Sequence, residues 1–256
     1  MNVPTPSRAG QGTQLSGAWN FRDVGSSHSA KPGIASGVLF RASALNRLDT
    51  FGQRTMIDLG IGRVVDLRSR WEIDTDGADA VPAGVEVVVR SFHRDAGPAA
   101  ALHTQPRLVD DGERFSYMVK AYRSFIRSEG ASDAIRTVAN ALTDERQSGG
   151  VLVHCAAGKD RTGWVVATVL AAAGVDRAAI ATDFLRSNEA VDHLRAVQRR
   201  RGVDVDLSSL LLGVRSEYLD SAFSAATEVH GSFGGYLESI GIGPAQRRQL
   251  REILVP

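Results

Sequence analysis

The stretch over residues 151–173 admits few folds. Val151-Leu152-Val153 is a β-branched apolar run, and Trp164-Val165-Val166-Ala167-Thr168-Val169-Leu170-Ala171-Ala172-Ala173 reads as a helix that is apolar on nearly every face. A strand and a helix that are both buried all round belong to the centre of a layered α/β structure. The ten residues between them, His154-Cys155-Ala156-Ala157-Gly158-Lys159-Asp160-Arg161-Thr162-Gly163, must then turn tightly from a strand end into a helix N-terminus. In such a turn the backbone N–H groups of residues 156–161 point inward and the helix dipole adds partial positive charge. Arg161 adds a planar fork that matches two oxyanion oxygens.

The same turn holds the chain's only cysteine, six positions before Arg161. A thiol attacks only as thiolate, and a helix N-terminus with nearby cations lowers its ordinary pKa of roughly 8.5. Thiolate attack on a phosphate ester forms a cysteinyl-phosphate and splits hydrolysis into two easier steps without a metal. Arg161 and the amides of Ala156, Ala157, Gly158 and Lys159 are expected to hold the equatorial oxygens. Thr162 can donate to the sulfur when it leaves, and His154 is expected to orient the loop from behind.

Spacing excludes two other readings. A nucleotide-binding loop needs Ser or Thr after Gly-Lys and a glycine five positions earlier, whereas Gly158-Lys159 is followed by Asp160 and preceded at that distance by Val153. One cysteine with an adjacent histidine does not give tetrahedral zinc spacing. Neither a metal nor a cofactor is expected.

Departure of an alkoxide or phenolate needs a general acid. Three aspartates are candidates: Asp160 inside the turn, Asp66 after Val64-Val65, and Asp95 in Ser91-Phe92-His93-Arg94-Asp95. Asp66 and Arg68 close an apolar strand, where α/β proteins gather their ligand residues, and are expected to line or brace the phosphate site.

Short apolar strands are predicted over 38–41, 64–67, 85–89 and 151–153, and helical stripes at Phe115, Met118, Val119, Tyr122, Phe125, Ile126 and at Ile135, Val138, Ala139, Leu142. The pattern predicts an α/β fold with a central, mainly parallel sheet flanked by helices on both faces. Further helices are predicted over 175–202, capped by Asp176, and over 214–229, 232–240 and 244–254. Residues 96–113, with two prolines and little periodicity, read as a long loop. Residues 1–14 are expected to be disordered and 15–256 to form one domain.

A net charge of +1 gives no electrostatic footprint for nucleic acid. No apolar run is long enough for stable membrane insertion. The N-terminus lacks the apolar stretch of a signal peptide, and a lone thiol suits a reducing compartment, so the cytoplasm is the expected location.

Several stretches resemble the bacterial tyrosine/serine protein phosphatases of the cysteine-dependent phosphatase superfamily. They are Asn20-Phe21-Arg22-Asp23-Val24-Gly25, Leu39-Phe40-Arg41-Ala42-Ser43, Val64-Val65-Asp66-Leu67-Arg68-Ser69, the cysteine turn itself, Phe184-Leu185-Arg186-Ser187-Asn188, Leu212-Gly213-Val214-Arg215-Ser216-Glu217-Tyr218-Leu219 and Gly231-Ser232-Phe233-Gly234-Gly235-Tyr236-Leu237. The resemblance implies a tyrosine-phosphatase-like fold and action on phosphotyrosine, with phosphoserine, phosphothreonine and phosphoinositides as further substrates. Inorganic phosphate is then product and inhibitor. The chain has no Trp-Pro-Asp tripeptide, which many relatives use for their acid; the family instead implies the aspartate of the Lys159-Asp160 pair. Lys159 also resembles the loop lysine of phosphoinositide phosphatases, although Ala156 stands where the strongest such pattern has a second lysine. In a secreted member of the family the region matching 176–212 forms a helical lid. The segment between Asn188 and Leu212 is shorter here, which predicts a reduced lid and a more open Cys155; export without a signal of this type is a second implied location.

Overall fold

A computed structural model describes residues 14–27, 33–93, 110–144, 146, 149–200 and 209–255. Strands β1 (Arg22–Asp23), β2 (Leu39–Ala42), β3 (Ile61–Asp66), β4 (Glu86–Val89) and β5 (Gly150–His154) form one sheet in the order β1-β2-β5-β3-β4. Neighbours run parallel except at the β1–β2 edge, which is antiparallel. The most apolar strand, β5, takes the centre and is buried at every position.

Alternation along the strands sorts side chains onto two faces. Phe40, Ala42, Val64 and Leu152 share one face with Leu15, Leu45, Leu48 and Met56, whereas Leu39, Val65, Val151 and Val153 join a larger core on the other. Helix α1 (Thr50–Asp58) supplies Met56 to the smaller core, and α2 (Arg70–Asp76) follows β3. The larger core is built by α3 (Asp111–Phe125), α4 (Glu129–Thr143) and α5 (Asp160–Ala172). All of α5 except Ala171 is buried, as its apolar sequence requires. After it come α6 (Arg177–Leu185), a 3-10 turn (Arg186–Ala190), α7 (Val191–Arg200) and α8 (Ser209–Leu212). The chain closes with α9 (Ser216–His230), α10 (Phe233–Ser239) and α11 (Pro244–Leu254). The mainly parallel sheet between helices matches the expected architecture.

One predicted helix is broken. The pattern over 175–202 opens at the Asp176 cap, whose carboxylate accepts from the Ala178 amide, but the helix tightens at residues 186–190. There Ser187 accepts from Arg22, and Asn188 exchanges two hydrogen bonds with the Val214 backbone. Side chains committed to distant partners fix the break; local helical propensity does not. Residues 1–13, Asp95, 96–109 and 201–208 lie outside the described residues; the end of the loop expected over 96–113 is instead the first turn of α3, capped by the Asp110 carboxylate, which accepts from the Glu113 amide. Among the described residues no helix is long and apolar enough to cross a membrane.

Candidate active site

The loop from Cys155 to Lys159 joins the end of β5 to α5, and its shape is set from outside. The Ala156 carbonyl accepts from the Ala44 amide at 3.2 Å, and those of Ala157 and Gly158 accept from Asn20 Nδ2 at 3.1 and 3.0 Å. Arg41 Nη2 donates to the Gly158 carbonyl at 2.8 Å and to that of Lys159 at 3.3 Å. Because a peptide plane holds N–H opposite C=O, carbonyls drawn outward turn the following amides inward. None of the amides of residues 156–160 is used by another hydrogen bond among the described residues. Gly158 takes φ +66°, and a Cβ there would lie 2.1 Å from the Ala42 carbonyl oxygen, so only glycine allows this approach to β2.

The brace behind the loop is ionic and buried. Asp183 accepts from Arg22 Nε at 2.7 Å and from Arg41 Nη1 at 2.6 Å. Burial pushes the Asp183 carboxyl up, but the two guanidiniums hold it well below the carboxylate range. Two buried cations share one carboxylate, and burial together with Arg41 depresses Arg22 to about 10. Arg22 also bonds Asn20 Oδ1 at 2.6 Å, which fixes Asn20 in the left-handed region at φ +53°. Asn20, Arg22 and Arg41 entered the sequence reading only as parts of matching stretches. Their shared task, aiming the loop, is set by contacts more than 100 residues apart.

Cys155 is 2% exposed. Burial is the largest influence on its thiol and pushes it up, but Arg161 and the hydroxyl and amide of Thr162 outweigh this, and the net shift is downward. The Thr162 hydroxyl has no partner of ordinary hydrogen-bond geometry among the described residues. It is among the groups that draw the Cys155 thiol down.

Arg161 is held by a residue that the sequence reading did not single out. Its Nη1 and Nη2 each donate to a Glu72 carboxylate oxygen at 2.7 Å, a bidentate pair buried at the start of α5. Ser69 and Glu72 form a capping box at the N-terminus of α2. The Ser-x-x-Glu spacing was the available signal for both helix and clamp. Burial pushes the Glu72 carboxyl up, but Arg161 and Ser69 bring it down from 4.5 to about 2. The pairing therefore stabilises the fold fully above pH 4.5 and loses this contribution as pH falls through about 2. Glu72→Gln is expected to remove roughly 3 kcal/mol of acid-dependent stability across that window. Urea titrations with the same acid slope in both proteins would count against the clamp.

Asp66 and Arg68, expected to line or brace the phosphate site, are tied to each other and to Asp79 beneath the loop. Arg68 is fully buried, forks onto Asp66 with Nη2 to Oδ2 at 2.9 Å, and reaches Asp79 at 2.8 Å. His154 Nε2 lies 2.7 Å from Asp79 Oδ2, and its Nδ1 lies 3.3 Å from the Cys155 carbonyl oxygen. Burial lowers the imidazole's affinity for a proton, but Asp66 and Asp79 raise it above the ordinary value. Arg68 and His154 thus meet two carboxylates beneath the loop, and His154 carries the brace to Cys155. Ligand atoms of Asp66, Asp79 and His154 lie within 4.8 Å of one another, but Arg68 already donates to both carboxylates and is the cation of this cluster.

Asp160 begins α5 and is nearly buried. Its Oδ1 accepts from the Tyr122 hydroxyl at 2.9 Å, and its Oδ2 lies 2.6 Å from Lys159 Nζ. Lys159 also donates to the carbonyls of Leu211 at 3.1 Å and Gly213 at 3.4 Å. Its ammonium thus bridges Asp160 and the C-terminal end of α8. Helices α7 and α8 pack Leu194 and Leu212 against Ala157, with Trp19 beside them. Helices α7 and α8 thus cover the loop at Ala157. A cleft of about 290 Å³ borders this cover, lined by Ala156, Ala157, Trp19, Arg47, His193 and Arg200 among others.

A buried, acidified thiol beneath inward amides and a clamped arginine defines a cysteine-dependent phosphate-transfer site. The tyrosine phosphatase family profile matches residues 13–256, and the chain belongs to that family. It is 39% identical to the triple specificity protein phosphatase PtpB of Mycobacterium tuberculosis, over 94% of this chain and 98% of the relative. A Cupriavidus necator protein named as a tyrosine-protein phosphatase is 30% identical over 86% of this chain and 76% of its own. A Nostoc commune tyrosine-protein phosphatase is 34% identical over 41% of this chain and 39% of its own. The protein is accordingly a protein tyrosine phosphatase of α/β architecture.

Proposed function

We propose that the protein hydrolyses phosphomonoesters through a cysteinyl-phosphate, with phosphotyrosine as its foremost substrate. The Cys155 thiolate attacks phosphorus while the ester P–O bond breaks, and the Asp160 carboxyl gives its proton to the leaving oxygen. Water then attacks phosphorus, its proton passes to the Asp160 carboxylate, and the S–P bond breaks with Thr162 donating to the departing sulfur. Arg161 and the amides of residues 156–160 carry the charge on the equatorial oxygens in both steps. Inorganic phosphate leaves and, fitting the same cradle, competes with substrate.

The observation that carries this reading is the set of loop carbonyls bonded outward to Ala44, Asn20 and Arg41, which leaves the amides of the loop uncommitted. No step requires a metal. A cysteine that works as thiolate is best kept reduced, so cytoplasmic phosphoproteins are the proposed targets.

The name of the Mycobacterium tuberculosis relative supports asking for wider range. Lys159, held by Asp160 and two carbonyls, adds little charge to the cradle in this arrangement, so phosphoinositide turnover is proposed as secondary. Initial rates on a phosphotyrosine peptide, a phosphoserine peptide and phosphatidylinositol monophosphates, with acid-quench trapping of phosphoenzyme, test this. Phosphotyrosine is expected to lead by roughly tenfold or more in kcat/KM, with a trapped acid-stable phosphothioester. Faster inositide turnover would reverse the order of substrates, and turnover without phosphoenzyme would overturn the mechanism.

A further inference from the structure

Tyr122 is buried completely, and its hydroxyl is spent on one bond, to Asp160 Oδ1 at 2.9 Å. The ring is fixed from three sides by Phe125, Phe184 and Tyr218, with centroids 4.9, 6.1 and 5.8 Å away. Nothing in hydrophobic packing requires a hydroxyl at this place, and a buried hydroxyl is costly unless it is bonded. The two carboxylate oxygens have unequal partners. Oδ1 takes the donor that cannot move, and Oδ2 takes Lys159, whose ammonium also has the Leu211 and Gly213 carbonyls to hold it.

Resting on the reading of Asp160 as general acid, we propose that Tyr122 is a positioning residue that pins Oδ1 and leaves Oδ2 as the oxygen that carries and delivers the proton. In the acid form the proton sits on Oδ2 while Oδ1 still accepts from the phenol. When Oδ2 gives its proton to the leaving oxygen, the same phenol stabilises the carboxylate and holds it in place to take a proton from water. The phenol remains a donor throughout, because burial and Asp160 keep its pKa well above the ordinary value.

Other groups share the environment. Lys159, Arg161 and Cys155 reach Asp160 from the loop and α5. Tyr117 interacts with it from α3 and Tyr218 from α9, and Arg41 of β2 acts on Tyr122. Tyr218 provides the contrast, since its hydroxyl donates to the Leu210 carbonyl at 3.1 Å and bonds nothing on Asp160.

The test is the pH profile of kcat/KM on p-nitrophenyl phosphate and on an alkyl phosphate, for the wild type, Tyr122→Phe, Tyr218→Phe and Asp160→Asn. Orthophosphate affinity is measured in parallel. Removing the phenol donor is expected to move the basic limb upward, since one donor to the carboxylate is lost. It should also lower alkyl phosphate turnover by roughly tenfold or more while changing p-nitrophenyl phosphate turnover less than about threefold, because only poor leaving groups need the proton. Tyr218→Phe should leave the limb in place, and Asp160→Asn should abolish it. If Asp160→Asn keeps the limb and the leaving-group dependence, the general-acid reading falls and this inference with it. If Asp160→Asn loses both while Tyr122→Phe matches the wild type, the inference alone falls. It also falls if Tyr218→Phe shifts the limb equally, or if Tyr122→Phe weakens orthophosphate binding more than tenfold, since either result makes the effect one of packing.

Discussion

Cys155→Ser is expected to lower kcat on phosphotyrosine by roughly 10⁴-fold or more while leaving orthophosphate affinity within about tenfold. The asymmetry follows from which groups do what. Binding belongs to the inward amides and Arg161, whose geometry is set by Asn20, Arg41 and Glu72 and does not involve the sulfur. Attack belongs to the sulfur, and the surroundings of Cys155 are arranged to ionise it: Arg161 and Thr162 overcome a burial that alone would keep the thiol neutral. A serine hydroxyl fits nearly the same volume, but its far higher pKa leaves it un-ionised in the same field. Calorimetric titration with orthophosphate and stopped-time assays measure the two halves separately. Activity within tenfold of the wild type would remove Cys155 from the chemistry, and loss of phosphate binding would mean that the cradle itself depends on the sulfur.

What could be read from the chain follows the range of the forces involved. The apolar run of residues 151–153 and the all-round apolar character of residues 164–173 are local, and they point to β5 at the centre of the sheet and α5 in the core packed on it. The phosphate turn was legible for the same reason, because ten consecutive residues carry it. Strand β1 was not, since two residues give no alternation. The break at residues 186–190 was also hidden, because Ser187 and Asn188 leave the helical pattern to bond Arg22 and Val214.

The site shows a sharper version of this limit. The rule that ligand residues gather at strand C-termini leaves two roles open for Asp66 and Arg68, lining the phosphate site or bracing it. They stand at that strand end, but Arg68 folds back onto the carboxylate two residues before it and onto Asp79, so their charges cancel beneath the loop. Charge at a strand end says that a partner is needed and leaves open whether the partner is a ligand or the next residue but one. Glu72 is the opposite case. Its capping box is a local signal that predicts a helix start, and the clamp on Arg161 is a second use of the same carboxylate, in which Oε2 serves both the Ser69 amide and Arg161.

That double use makes Arg161→Lys the second large effect. One planar guanidinium meets Glu72 with two parallel N–H donors, and its planarity fixes the direction of the donors that remain. A lysine ammonium is a point charge on a flexible stem. It can approach Glu72 or a phosphate oxygen, but it cannot hold both in one plane. The variant is expected to lose roughly 10³-fold in kcat/KM, the scale of removing a charged donor from a phosphoryl-transfer transition state. It should also raise the thiol pKa, because Arg161 is the strongest influence drawing it down. The rate of iodoacetate alkylation against pH reads that shift directly, without reference to turnover. A fall in turnover with an unmoved alkylation profile would assign Arg161 to the transition state alone. Turnover within tenfold of the wild type would show that the amides of the loop suffice, and that the Glu72 clamp serves only the fold.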